Sequence, residues 1–182
     1  MQAVATPSTH SSKTAINTGL KGLVLVLTLA FLGVIGWNLR DTTVHEGDRA
    51  PNFAVRTDQG REITPVNFGG KILVLNFWAS WCPPCVTETP SLSAFQREYR
   101  DRGVVVLGVS IDKNDQKYTR FLQRFHVAFD TYRDPNATIS SNFGTFQIPE
   151  TYVIKDGRVL RKYISDQNWM GDEVDRYIES LL

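Results

Sequence analysis

The reading of this chain turns on Val74-Leu75-Asn76-Phe77-Trp78-Ala79-Ser80-Trp81-Cys82-Pro83-Pro84-Cys85-Val86-Thr87-Glu88-Thr89-Pro90. Its first half completes Ile72–Phe77, an almost continuously apolar run rich in β-branched residues. Such a run predicts a strand covered on both faces. The second half opens a helix that should run to about Arg102 and stop at Gly103. Pro83 and Pro84 are tolerated there because first-turn N–H groups have no helical partner to lose. Pro90 lies deeper and is expected to kink the helix.

The two cysteines sit where a strand gives way to a helix, and that position carries chemistry. A sulfur at the positive end of the helix dipole, near free N–H groups, is favoured as thiolate over thiol. The thiolate is the species that attacks a disulfide. Cys82 is therefore the expected nucleophile. Cys85, one turn deeper, is the expected resolving thiol, able to reach back and close a ring with Cys82. The bland alternatives are weak. A zinc site needs a second ligand pair, and His10, His45 and His126 stand at no ligand spacing. A structural disulfide across one turn closes too small a loop to constrain the unfolded chain much. No metal and no small-molecule cofactor is expected, since the glycines form no phosphate loop.

Outward from this centre the elements follow a simple order. Asn52–Arg56 and Arg61–Pro65 read as short strands around Asp58-Gln59-Gly60. Val104–Ile111 is a second buried-type strand, and Gln116–Phe125 is a helix with Tyr118, Phe121, Leu122 and Phe125 at apolar spacing. Strand, crossover helix, strand implies parallel pairing. Thr151–Ile154 and Val159–Ile164 flank Lys155-Asp156-Gly157, a strong hairpin signal. Asp172–Leu182 closes the chain as a helix. The order is β-hairpin, βαβα, ββα, an α/β domain with a mixed sheet and helices covering its faces.

The 182 residues carry 20 basic and 19 acidic side chains, so no bulk field draws the chain to nucleic acid. The charge is unevenly placed: residues 1–40 hold three basic residues and no acid, while residues 41–182 hold 17 basic and 19 acidic. Residues 1–19, rich in Ser, Thr and Ala, read as a flexible tail. Residues 22–39 are uncharged, and 18 residues of helix reach roughly 27 Å, about the hydrocarbon thickness of a bilayer. Residues 20–40 are thus expected to be a single-pass transmembrane anchor. A cleaved signal peptide is the main competitor, but Val34-Ile35-Gly36 is a poor cleavage site. Residues 41–50 read as a linker and 51–182 as the folded domain.

The motif resembles the signature of the TlpA/ResA/CcmG-like thioredoxin-fold proteins. Ala50-Pro51-Asn52-Phe53, Phe68-Gly69-Gly70-Lys71 and Ile148-Pro149-Glu150-Thr151-Tyr152-Val153-Ile154 resemble further segments of that family, over roughly residues 46–182. The resemblance implies a thioredoxin-like fold with an N-terminal β-hairpin extension behind a transmembrane helix. It implies a membrane-tethered thiol-disulfide oxidoreductase facing the bacterial periplasm or cell exterior. It further implies that Pro149 is cis and lies opposite Cys82, with the Ile148 backbone pairing with substrate. The family also places a functional Glu at position 88, where a partly buried carboxylate could take the proton of Cys85. Asn76 stands where cytoplasmic thioredoxins carry an Asp, and its amide cannot accept that proton in the same way. Glu150 is a candidate second acid. Trp81 is expected beside the sulfurs at the surface, Trp78 in the core, and His126 in a structural role.

Pro83 and Pro84 each remove an N–H that could stabilise the Cys82 thiolate, which favours a reductant over an oxidant. The family role agrees: reduction of protein disulfides such as those of apocytochrome c, with electrons from a transmembrane dithiol protein. A dedicated reductant is useful in an oxidising compartment, so the domain is expected on the periplasmic side of the cytoplasmic membrane. Two other readings compete: a copper metallochaperone or other thiol-based binding module, and a peroxidase-like redoxin. The first normally spaces its cysteines more widely, and the second carries its reactive Cys in a different motif.

Overall fold

The structure is a computed structural model. It describes the backbone of residues 11–38 and 43–182, with side chains of the first segment described from Leu20 to Gly36. Two compact units separate, residues 1–41 and Thr42–Leu182.

The first unit holds one helix, α1 (Ser11–Asn38). Helix begins within the stretch expected to be a tail, since each residue added to a nucleated helix gains a backbone hydrogen bond. The first ten residues of that tail lie outside the described residues. Leu23, Leu27 and Phe31 are exposed, and Thr28 Oγ1 donates to the Val24 carbonyl at 2.8 Å. Among the described residues no helix is long and apolar enough to cross a membrane. The expected span runs past them at Leu39 and Arg40, and the start of the expected linker, Asp41 and Thr42, also lies outside.

The second unit is built on one five-stranded sheet. Its strands are β3 (Ile72–Trp78), β4 (Val104–Ser110), β5 (Asp130–Arg133), β6 (Glu150–Lys155) and β7 (Arg158–Ile164), in the spatial order β5-β4-β3-β6-β7. Every residue of β3 and β4 is buried, as a central strand covered on both faces requires. β3 pairs parallel with β4, and β4 with β5. Parallel neighbours need crossovers, supplied by α2 (Pro83–Tyr99) and α3 (Asp115–Phe125). β6 runs antiparallel to β3, and β7 to β6.

Alternation along the strands sorts the core into two faces. Ile72 and Val74 pack with Leu92, Phe95 and Tyr99 of α2 and with Val174 and Ile178 of α5 (Asp172–Glu179). Leu73, Leu75 and Phe77 face the other way. They meet Val55 and Ile63 of a small antiparallel hairpin, β1 (Val55–Arg56) and β2 (Glu62–Ile63), and Ile139 of a short helix, α4 (Thr138–Asn142). From the segment read as a linker, Val44 and Ala50 are buried, and the Val44 N–H donates to the Phe143 carbonyl at 3.0 Å.

α2 passes into one 3-10 turn, Arg100–Arg102, and ends at Gly103 with φ 92°, a left-handed conformation that glycine adopts without a Cβ clash. Asp156 and Gly157, both at positive φ, form the two-residue turn between β6 and β7. β5 and α4 are not among the elements expected from the sequence. β5 is a short polar strand at the sheet edge, and α4 is a five-residue helix, so neither carries a periodic pattern.

Candidate active site: a dithiol at a helix start

The antiparallel entry of β6 beside β3 determines where the site forms. The chain leaves β3 at the end where β6 begins, so the loop after Trp78 and the segment before Glu150 meet at the same end of the sheet's central strands. Cys82 caps α2 there, in extended conformation, with the two prolines opening the helix. Those prolines bring no N–H. The first-turn donor aimed at sulfur is the Cys85 N–H, which donates to Cys82 Sγ at 3.3 Å. Cys82 and Cys85 are joined as a disulfide. Both are buried, Cys82 at 3% exposure and Cys85 at 1%. Trp81, at 61%, stands out into solvent beside them, as expected. Its loop is pinned by Asp112, which accepts from the Ser80 N–H at 2.8 Å and from Ser80 Oγ at 2.7 Å.

The Ile148–Pro149 peptide bond is cis. Cys82 Sγ lies 3.6 Å from the Ile148 carbonyl oxygen. A disulfide sulfur has no proton to donate, so this is a contact that a thiol could turn into a hydrogen bond. Pro83 is exposed, Pro84 and Ile148 are half-buried, and Pro149 is buried. Trp78 lies in the core, its ring 4.6 Å from that of Phe121 and 5.8 Å from that of Tyr118. His126 caps the end of α3 in left-handed conformation.

Glu88 lies on the same buried face of α2 as Cys85, one turn on, and is 2% exposed. Asn76 Nδ2 donates to its Oε1 at 2.8 Å. The Gln167 N–H and Trp169 Nε1 donate to its Oε2 at 3.2 and 3.3 Å. All three donors are uncharged, so they orient the carboxylate without balancing its charge. Burial dominates and pushes the Glu88 carboxyl up to about 7 from the usual 4.5. Asn76 Nδ2 also donates to Thr151 Oγ1 at 2.8 Å, tying the base of the site to β6.

Glu150 is fully buried as the first residue of β6. Strand alternation sends its side chain to the face opposite Thr151 and Asn76. There Lys162 Nζ lies 3.0 Å from its Oε1, which also accepts from Thr145 Oγ1 and the Tyr152 hydroxyl. The structure thus brings Trp81, Cys82, Cys85, Ile148 and Pro149 together, with Glu88 behind Cys85, and turns Glu150 away. Asp112, Gln167 and Trp169 were not anticipated. They come from distant loops, and no local pattern marks them. Among the described residues, no three His, Cys, Asp or Glu side chains cluster where they could hold a metal ion.

A thioredoxin-like sheet presenting a helix-capping Cys-x-x-Cys beside a cis-proline segment defines a thiol-disulfide oxidoreductase. Comparison with known proteins agrees. Residues 46–163 match the AhpC/TSA family. The chain is 26% identical over 164 residues to the thiol-disulfide oxidoreductase ResA of Bacillus thuringiensis subsp. konkukian, spanning 86% of this chain and 94% of that protein. It is 30% identical over 149 residues to the thioredoxin-like protein YneN of Bacillus subtilis, spanning 78% and 87%. Among solved structures, a Chlorobium tepidum protein assigned as the thiol:disulfide interchange protein DsbE superposes with a TM-score of 0.69. The two are 26% identical over 76% of this chain and 99% of that one. The chain belongs to the AhpC/TSA family, among its TlpA/ResA/CcmG-like thiol-disulfide oxidoreductases.

Proposed function

We propose that this oxidoreductase is a reductase of protein disulfides, held at the bacterial cytoplasmic membrane by residues 20–40 with its catalytic domain on the periplasmic side. Its substrates are extracytoplasmic thiol proteins of the apocytochrome c kind, and a transmembrane dithiol protein recharges it. One observation carries the reductive direction. The prolines that open α2 leave the Cys85 N–H as the first-turn donor to Cys82 Sγ. A sparsely stabilised thiolate gives up its electrons more readily than a richly stabilised one.

The cycle begins with the reduced pair. The Cys82 thiolate attacks one sulfur of the substrate disulfide. The substrate S–S bond breaks, a mixed disulfide forms on Cys82, and the departing thiolate takes a proton. Cys85 then passes its proton to the Glu88 carboxylate and attacks Cys82 Sγ. The Cys82–Cys85 disulfide closes, and the second substrate sulfur leaves as a thiolate and is protonated. Two electrons pass from the dithiol to the substrate; of the two protons it gains, one is that of Cys85, handed on by Glu88, and the other comes from water, which received it when Cys82 ionised. A carboxyl titrating near 7 suits this task, because it can accept and return a proton at neutral pH.

Equilibration with glutathione redox buffers tests the direction. The expected potential lies near thioredoxin's, about −270 mV, and a value above that of protein disulfide isomerase, about −180 mV, overturns the reading. Insulin reduction is expected to vanish in Cys82→Ser. Protease added to spheroplasts is expected to cut the domain and spare the tail, and the reverse pattern overturns the topology.

A further inference from the structure

Beside the dithiol lies a groove of about 350 Å³ that the cycle above does not use. Trp81 forms one wall, Val86, Phe121 and Phe125 contribute apolar lining, and Lys117, Arg120 and Arg124 line it from α3. The three cations fall at spacings of three and four residues, so they form one stripe along the helix. All three are exposed. None makes an ion pair among the described residues. The acid on the same helix, Asp115, is engaged by Arg133 at 3.2 Å. A second hollow, of about 580 Å³, shares Trp81 and Lys117 with the first.

Two facts make this stripe more than ordinary surface charge. First, it is local: residues 41–182 carry more acids than bases, so three cations on one helix face with no carboxylate partner among the described residues, Arg124 resting over the Phe125 ring at 5.4 Å, run against the balance of the domain. Second, it is joined to the reacting sulfurs. Cys82, Cys85, Phe121 and Tyr118 belong to one packed cluster, with Val86 and Phe125 against it. A chain whose cysteine meets Cys82 beside Trp81 has this groove next to it.

We infer that the Trp81–α3 groove docks an acidic segment flanking the reactive cysteine of the disulfide-bearing protein substrate, with carboxylates on Lys117, Arg120 and Arg124 and apolar side chains on Phe121 and Phe125. The inference rests on the reductase reading for the identity of the partner. A concave, aromatic-floored groove beside a sulfur suits a peptide segment better than a lipid surface. Exposed charges of this kind act chiefly on encounter rate and specificity.

The test uses the full-length chain in detergent micelles and two synthetic peptides. Each peptide carries one intramolecular disulfide, and they differ only in a flanking run of Glu or of Gln. At low salt the reduced protein is expected to reduce the Glu peptide about tenfold faster, and the advantage should shrink as salt screens it. The variant Lys117→Gln/Arg120→Gln/Arg124→Gln should lose that advantage and keep its rate on the Gln peptide. Anisotropy of a labelled Glu peptide with both cysteines replaced by Ser should report binding to the parent chain and not to the variant. Equal rates for the two peptides, or a variant slowed equally on both, overturn the docking proposal while leaving the reductase intact. Charge-dependent binding without reduction of either peptide supports the groove and overturns the reductase. Charge-dependent binding seen only with phosphatidylglycerol-containing vesicles assigns the stripe to the membrane and overturns the proposal.

Discussion

Glu88 and Glu150 are both sealed from solvent, one on each face of the sheet, and they are held in opposite ways. Glu88 is surrounded by three uncharged N–H donors. Glu150 has a lysine ammonium 3.0 Å away. Dipoles can orient a buried carboxylate, but only an opposite charge removes the main penalty of burying it. Burial alone therefore does not assign a role. The neighbours differ in kind: Glu88 meets only neutral dipoles, while Glu150 meets an ammonium that ties β6 to β7. β6 carries both ends of this contrast, because Thr151 faces Asn76 while Glu150 faces Lys162.

The most severe way to break the contrast is Lys162→Met, which keeps the stem and removes the charge. It is expected to destabilise the domain by about 3–5 kcal/mol in urea unfolding, because Glu150 is left buried without its partner. Adding Glu150→Gln should recover most of that loss. A near-neutral Lys162→Met would show that the ammonium matters little.

Glu88 is expected to reveal itself through pH. Its folded carboxyl sits at about 7 against 4.5 in the unfolded chain, so between these values the folded state binds more protons. Stability should fall as pH rises through that window, by on the order of 3 kcal/mol in total, and level off above it. Glu88→Gln should flatten the profile, measured by urea unfolding from pH 4 to pH 9. A parent protein as stable at pH 8 as at pH 5 would place the carboxyl in a far more polar setting.

The same substitution should slow release of the mixed disulfide by about 100-fold, within the range for losing a positioned proton acceptor. The first attack by Cys82 should be spared. Stopped-flow measurement of the two steps separates them. Both steps slowing together would remove Glu88 from the resolving reaction.

The smallest expected effect sharpens the contrast. Thr151→Val keeps the side-chain shape and deprives Asn76 Nδ2 of one acceptor, which should lower stability by about 1 kcal/mol. The titration of Glu88, followed by carboxyl carbon NMR, should barely move. A large change there would mean that Asn76 is held in place chiefly by Thr151.

The parts of the molecule visible in its sequence were those with local patterns. The Cys82–Cys85 pair, the buried run at 72–77 and the Asp156-Gly157 turn each declare themselves within a few residues, and each formed as read. Glu88's burial was half legible, since a position three residues after Cys85 fixes the helix face but not what covers it. Gln167 and Trp169 close over it from 79 and 81 residues away, and nothing near them in the sequence says so. Glu150 misled in the opposite direction. As an acid beside a proline it resembles a loop edge, yet β6 begins with it, and Lys162 across the β6–β7 hairpin covers it. The stripe on α3 was hidden because a near-zero charge total averages over every face of the domain.

The Asn76 amide has a last consequence. Its N–H can be received equally by an ionised Glu88 and by the carbonyl oxygen of a protonated one, and its other N–H stays on Thr151 throughout. A carboxylic acid at position 76 would have to turn over whenever its neighbour changed state. With an amide there, Glu88 can stand ionised or protonated while both Asn76 N–H groups keep their acceptors.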